Sequence, residues 1–208
     1  IHLRCSFRNN VYFCFSNSRK EMYKEILKWV IGLISQPTKA WHVLSKREEN
    51  HEAFLSGFIY PLIGLVTIAA FAGVLFTMKQ FDLEHALKEA IRALVSSFGG
   101  FYVGAYLMNE IWQGLFKRKK DLNLWLRFVG YSSSLMFALN IVLQLLPEFF
   151  FLQVFVLYTF YIVWEGAISY MKVEEAVRMK FTFISTVIIL FTPVVIEKLM
   201  GMFMPGLG

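Results

Sequence analysis

Apolar positions in this chain come in continuous runs rather than in alternation. Five runs are long: residues 54–76, 94–116, 128–146, 149–171 and 181–204. A bilayer core is about 30 Å thick, and an α-helix crosses it with about 20 mostly apolar residues. Strands do not fit, because nothing alternates and an open sheet would leave backbone groups unpaired in lipid. The pattern therefore predicts an all-α fold, an integral membrane bundle of five transmembrane helices over residues 54–208. Ahead of it, Met22, Ile26, Trp29, Val30, Leu33 and Ile34 recur at helical spacing, with Lys24, Glu25 and Lys28 on the other face. That is a short amphipathic helix for the cytosolic membrane interface, resting either on lipid or on its own bundle. Gln36-Pro37 ends it, and Pro37 suits the first turn of a second short helix through Ala40, Trp41 and Leu44. Asp82 is placed to cap a separate outer helix over residues 83–94. Pro61 and Pro193 are expected to bend the first and fifth spans.

Charge sets the orientation. Of 21 Lys and Arg residues, 17 fall on one set of alternate sides of the runs and four on the other. The larger set includes Lys117, Arg118, Lys119 and Lys120. Basic flanks stay cytosolic, so the N-terminus is expected in the cytosol and the C-terminus outside. The net charge of +6 is then a topology signal and an attraction to anionic lipid. A nucleic-acid partner is not expected, since no basic face with interleaved base-stacking residues is present. With five spans in 208 residues, little chain is left for a soluble domain. Residues 22–53 make a cytosolic and interfacial preface. Residues 1–21 lack a clear period, and Met22 is the expected natural start, which makes 1–21 a non-native or disordered extension. Cys5 and Cys14 lie in that stretch and are assigned no role.

Polar residues inside the spans are the costly choices, at about 2.5–3.5 kcal/mol for an ionised side chain at mid-bilayer on insertion scales. Glu110 and Glu165 each lie about five residues to the cytosolic side of their span centres, roughly 7–8 Å from the midplane. Asn109 adjoins the first, and Arg127 and Arg178 lie toward the same face. Glu110, Glu165, Asn109 and Arg127 therefore form a candidate polar cluster. It is read either as a proton or solute site or as Arg-paired carboxylates that fix helix register. Asn140 and Gln144 share one helix face and suit interhelical hydrogen bonds. Gly100-x-x-x-Gly104, and Ala69 with Gly73, permit close helix approach.

Catalytic patterns are scarce. His51-Glu52 begins like a zinc-protease motif, but Leu55 stands where the second His is required. His2, His42 and His51 are separated by the membrane from His85 and cannot share a metal. No catalytic residue, metal or cofactor is expected.

Several short motifs keep a fixed order against the spans: Pro37-Thr38-Lys39-Ala40-Trp41 before the first, Tyr60-Pro61 early in it, Gly130-Tyr131-Ser132 in the third, Trp164-x-Gly166 closing the fourth, and Glu175-Ala176 before the fifth. In this the chain from Met22 onward resembles the bacterial branch of the Yip family, membrane proteins named for interaction with Ypt/Rab GTPases. The resemblance implies a five-span bundle with a cytosolic N-terminus and, for eukaryotic members, roles in trafficking and membrane shaping. It marks Pro37, Trp41, Tyr60, Pro61, Gly130, Tyr131 and Trp164 as structural motif residues. The chain departs from eukaryotic members in lacking their long N-terminal region and in keeping only Tyr60-Pro61 of their Asp-Leu-Tyr-Gly-Pro motif, so a Rab GTPase is not an expected partner. Two functions follow: a non-enzymatic scaffold or adaptor of a bacterial inner membrane, whose partners are the bilayer and another membrane protein or a second copy, or a small solute or proton-linked permease using Glu110 and Glu165.

Overall fold

The computed structural model describes residues 11–47, 50–77, 82–116 and 119–203, and these contain helices and turns with no strand. Residues 1–10 of the expected extension, with Cys5, lie outside the described residues, as do Lys79, Lys117, Arg118 and the last position of the fifth run. The helices are α1 (Val11–Ser35), α2 (Pro37–Leu44), α3 (His51–Phe54), α4 (Tyr60–Thr77), α5 (Leu83–Phe116), α6 (Leu122–Ser132), α7 (Ser134–Leu145), α8 (Thr159–Ser169) and α9 (Glu175–Phe203). A π-helical turn, Leu55–Ile59, joins α3 to α4, and a 3₁₀ segment, Pro147–Tyr158, leads into α8.

Four stretches are long and apolar enough to cross a membrane: His51–Thr77, Leu83–Gly114, Pro147–Ser169 and Glu175–Phe203. The pair α6 and α7, bent by 43° at its break, passes the same test only when taken together, which gives four candidate spans, or five if the pair is one broken span. The molecule is thus an all-α, multi-pass membrane bundle. Its outer surface is apolar, with Ile68, Phe76, Phe150, Leu157, Phe183, Phe191 and Val195 exposed. Such a continuous apolar exterior requires hydrocarbon around it. α5 lies along α9, α4 packs against α5 and α7, and α8 against α9.

Several boundaries differ from those the runs predict. α1 begins at Val11, upstream of Met22. No Pro or Gly interrupts residues 11–31, and extending a formed helix costs little. α5 is one helix where two elements were expected, because residues 83–98 contain no breaker between Asp82, which caps it, and Gly99. The third span is not a straight helix over 128–146. It starts at Leu122, because Asp121 accepts the Leu124 N–H at 3.0 Å and fixes the start there. It breaks at Ser133, whose hydroxyl donates to the Val129 carbonyl at 2.8 Å. Such back-bonding within a run of three serines bends helices. The first half of the fourth span is 3₁₀ rather than α, with Phe149 at φ −87°, ψ 27°. Pro193 lies inside α9 without ending it, while Pro61 is the second residue of α4, two residues after the π-helical turn ends at Ile59. Widening that turn relieves the clash between the Pro61 ring and the preceding carbonyls.

Burial is concentrated at one end of the bundle, where α1 and α2 rest. Trp41, Phe54, Trp125, Phe128, Tyr131 and Phe181 are all within 2% of complete burial. Their rings meet edge to face or tilted: Trp41 and Phe128 at 5.4 Å, Trp125 and Phe128 at 5.8 Å, Phe54 and Tyr131 at 5.0 Å. Aromatic pairs of this kind add about 0.5–1.5 kcal/mol each beyond area burial.

Candidate functional site

The α1–α2 end gathers most of the residues picked out by pattern. α1 buries Ile26, Val30 and Leu33 against the bundle and leaves Tyr23, Leu27 and Ile31 exposed on an adjacent stripe. It therefore has both a bundle-facing and an outward apolar face. α2 is fixed by Trp41, whose Nε1–H donates to the Ile162 carbonyl of α8 at 2.8 Å. Its indole covers Gly166, where an added methyl would lie 2.7 Å from the ring. Pro37 is buried at the first turn of α2. From α8, the Tyr158 hydroxyl donates to the Ile34 carbonyl at 3.0 Å. An indole N–H and a phenol O–H thus tie the α1–α2 hairpin to α8 through backbone carbonyls.

Gly130 is the point where α3, α5 and α6 converge. A Cβ there would lie 2.6 Å from both Ile59 Cδ1 and Phe54 Cζ. Tyr131 packs at a tilt against Phe54 and Phe58, with ring centroids at 5.0 and 4.8 Å. On the membrane face, the Tyr60 and Tyr102 hydroxyls form a 2.8 Å hydrogen bond between the first two spans, a link with no local pattern to reveal it.

Each of the four polar residues proposed as one cluster has a described partner outside it. Glu110 is held by Lys120, whose ammonium lies 2.7 Å from both carboxylate oxygens. Asn109 is buried and accepts the Asp121 backbone N–H at 3.0 Å, binding the end of α5 to the start of α6. Arg127 donates through Nε to the Asn123 carbonyl at 3.3 Å. Glu165 lies 3.7 Å from Arg178. None of the described hydrogen bonds or ion pairs joins Glu110 to Glu165.

Arg178 is held by several groups at once. Its Nε and one terminal nitrogen donate to the Trp164 carbonyl at 3.2 and 3.0 Å, another donates to Glu175 at 3.2 Å, and its guanidinium lies 3.9 Å from the Trp164 ring centre. Trp164 thus supplies α8 with both a carbonyl and a π face for α9. The available signal was the placement of Arg178, three residues after Glu175 in the first turn of α9. Lys120 gave a weaker signal, since its distance from Glu110 along the chain exceeds any helical spacing.

The family model of the Yip1 domain matches residues 31–196. The chain belongs to the Yip1 domain family. The match begins inside α1 and ends late in α9, so the α1–α2 hairpin contacts and the candidate spans fall largely within the Yip1 domain. No curated protein and no solved structure matches the chain.

Proposed function

We propose that this Yip1 domain protein is a non-enzymatic membrane scaffold or adaptor. It would sit in a bacterial inner membrane with its N-terminus cytosolic and its C-terminus outside, and work through the α1–α2 end. The observation that carries this reading is the fixed α1–α2 hairpin. Trp41 and Tyr158 hold it on the bundle, while its charged face and the Tyr23, Leu27 and Ile31 stripe remain outward. A rigid amphipathic platform at a headgroup surface suits docking of a membrane-protein partner or a second copy beside the bilayer. Exposed Lys119 and Lys120 extend the basic character of the same face. The Lys and Arg distribution supports the orientation. The ion pairs of Glu110 and Glu165 support a structural role for both carboxylates, which also weakens the carrier reading.

Reconstituted vesicles separate the two functions. The expected outcome is no proton or solute flux above empty vesicles, together with partner or self crosslinks from a photoreactive group at Leu27 or Ile31 in native membranes. A flux that disappears in Glu110→Gln or Glu165→Gln would replace the scaffold with a carrier.

A further inference from the structure

Three amide side chains have no hydrogen-bond partner among the described residues: Asn140 and Gln144 of α7, and Gln153 of the 3₁₀ segment that leads into α8. Asn140 and Gln144 are half-buried, and Gln153 is exposed. An amide carries two donor hydrogens and an acceptor oxygen, and hydrocarbon offers none of them a partner. Depth decides whether hydrocarbon is what surrounds Gln153. A 3₁₀ helix rises about 2.0 Å per residue and an α-helix about 1.5 Å, so Pro147–Ser169 is about 40 Å long. A core of about 30 Å centred on it begins about 5 Å from Pro147. Gln153 lies about 12 Å from Pro147, inside that core. Asn140 lies about 8 Å from the end of α7, on the element that packs beside the 3₁₀ segment across the turn at Leu146. The two amides are therefore within about one helical turn of each other in depth.

The surface around Gln153 is the least covered part of the bundle. Of the four stretches long enough to span alone, Pro147–Ser169 has the smallest buried share. Its 3₁₀ half packs chiefly on α7 and on its own continuation α8, and none of its 12 residues is buried. Phe150, Val154 and Leu157 are 73%, 63% and 68% exposed, and residues 149–158 carry no charge. Lipid tails cover apolar side chains of this kind, but they cannot satisfy the amide among them. An uncharged face with one amide has nothing for a charged partner to recognise. A second amide fits, since each can donate to the oxygen of the other. A twofold axis supplies that second amide from an identical surface, and amides that hydrogen-bond across helices hold membrane helices together.

We propose that the exposed 3₁₀ face of the fourth span docks a second copy of this chain, with Gln153 paired to its twin across a twofold axis and Phe150, Val154 and Leu157 packed around the pair. The test is self-association of the full chain in lipid vesicles, read as Förster transfer between donor-labelled and acceptor-labelled copies while the protein-to-lipid ratio is lowered. Gln153→Leu should weaken association about tenfold, the effect of one lost interhelical hydrogen bond. Gln153→Asn, which keeps the amide, should retain most of it, and Phe183→Leu, on the exposed face of α9, should leave it unchanged. Leu at position 153 suits a membrane helix, and circular dichroism confirms that each variant is folded. In a chain carrying Cys5→Ser and Cys14→Ser, Val154→Cys should form a disulfide-linked dimer in membranes, and Phe183→Cys should not. Monomers at every ratio, association unchanged in Gln153→Leu, dimers linked through Phe183→Cys in place of Val154→Cys, or Val154→Cys linked to a different protein overturns the proposal. Association through the α1–α2 end persists in Gln153→Leu, so this inference and the scaffold reading fail separately.

Discussion

Arg178 enters the bundle at the start of α9, where its guanidinium cannot be fully hydrated. Its side chain is 12% exposed and that of Glu165 is 16% exposed. A charge in that position needs several partners, and the Trp164 carbonyl, the Trp164 ring and Glu175 supply more of them than Glu165 does. A planar fork can donate twice to one carbonyl while lying against a ring, and an ammonium cannot. Arg178→Lys is therefore expected to lower stability by about 2–3 kcal/mol, because a partly buried charge loses donors to its acceptors. Glu165→Gln is expected to cost less than about 1 kcal/mol, the range of a long, partly solvated pair. Thermal unfolding in detergent measures both, and a Glu165→Gln loss equal to that of Arg178→Lys would refute this ranking.

The hydroxyls follow a different logic. Thr67, Thr77 and Thr192 donate to carbonyls of their own helices. Thr182 and Ser185 on α9 and Thr159 on α8 are buried, with no hydrogen-bond partner among the described residues. An unmade buried hydrogen bond costs about 1–3 kcal/mol, whereas an apolar group of the same shape carries no such cost. Thr182→Val with Ser185→Ala is thus expected to leave stability unchanged or to raise it by about 1 kcal/mol. A loss larger than about 1 kcal/mol in the same unfolding assay would mean that these hydroxyls are satisfied in the native membrane.

At the scale of elements, α4 and α7 approach closely at Gly73. An added Cβ at Gly73 would collide with the Gln144 backbone carbonyl oxygen, which no rotamer change can move aside. At Gly100 the obstacle is the Pro193 ring and its Cα, and at Gly166 the Trp41 indole. Overpacking against backbone costs about 1–3 kcal/mol or more. Gly73→Ala is expected to lose about that much, read as a lower unfolding temperature in detergent. Gly64→Ala, whose Cβ would meet nothing within 4 Å, should be neutral or stabilising, since Ala is the better helix former by about 1 kcal/mol. Equal effects of the two substitutions would dismiss the α4–α7 contact. The small-residue spacings in the sequence pointed to close packing but not to its partners. Gly73 meets α7 and Gly100 meets Pro193 of α9, while Gly104 has only ordinary contacts.

At the scale of the molecule, the spans carry the exposed apolar surface and the α1–α2 end carries the densest aromatic core and most of the described interhelical polar contacts. This asymmetry matches the distribution of basic residues. Tags at the N-terminus and after residue 208 are expected to be labelled from opposite sides of intact vesicles, the N-terminal one from the cytosolic side. Labelling of both from one side would remove a span from the count, and α6–α7 or the 3₁₀-led fourth span would be the first to re-examine.

Several features were legible in the sequence because they arise locally. The lengths of the apolar runs selected helix over strand and an all-α membrane bundle, while the third run became a bent pair of helices. Asp82 capped its helix and α1 kept its apolar stripe, because cap chemistry and helical period depend on neighbouring residues only, while only the tertiary structure set Ile26, Val30 and Leu33 of that stripe against the bundle. The Pro37 to Trp164 motif order pointed to the Yip family by resemblance, and the Yip1 domain match over residues 31–196 agrees. Pairing was decided by tertiary structure. Glu110 took Lys120, Glu165 shared Arg178 with a tryptophan carbonyl, Asn109 received the Asp121 amide, and the third span bent at its serines. Hydropathy along a chain records how much surface must leave water. Which buried group satisfies another depends on helix contacts between residues distant in the chain, and no local period carries that information.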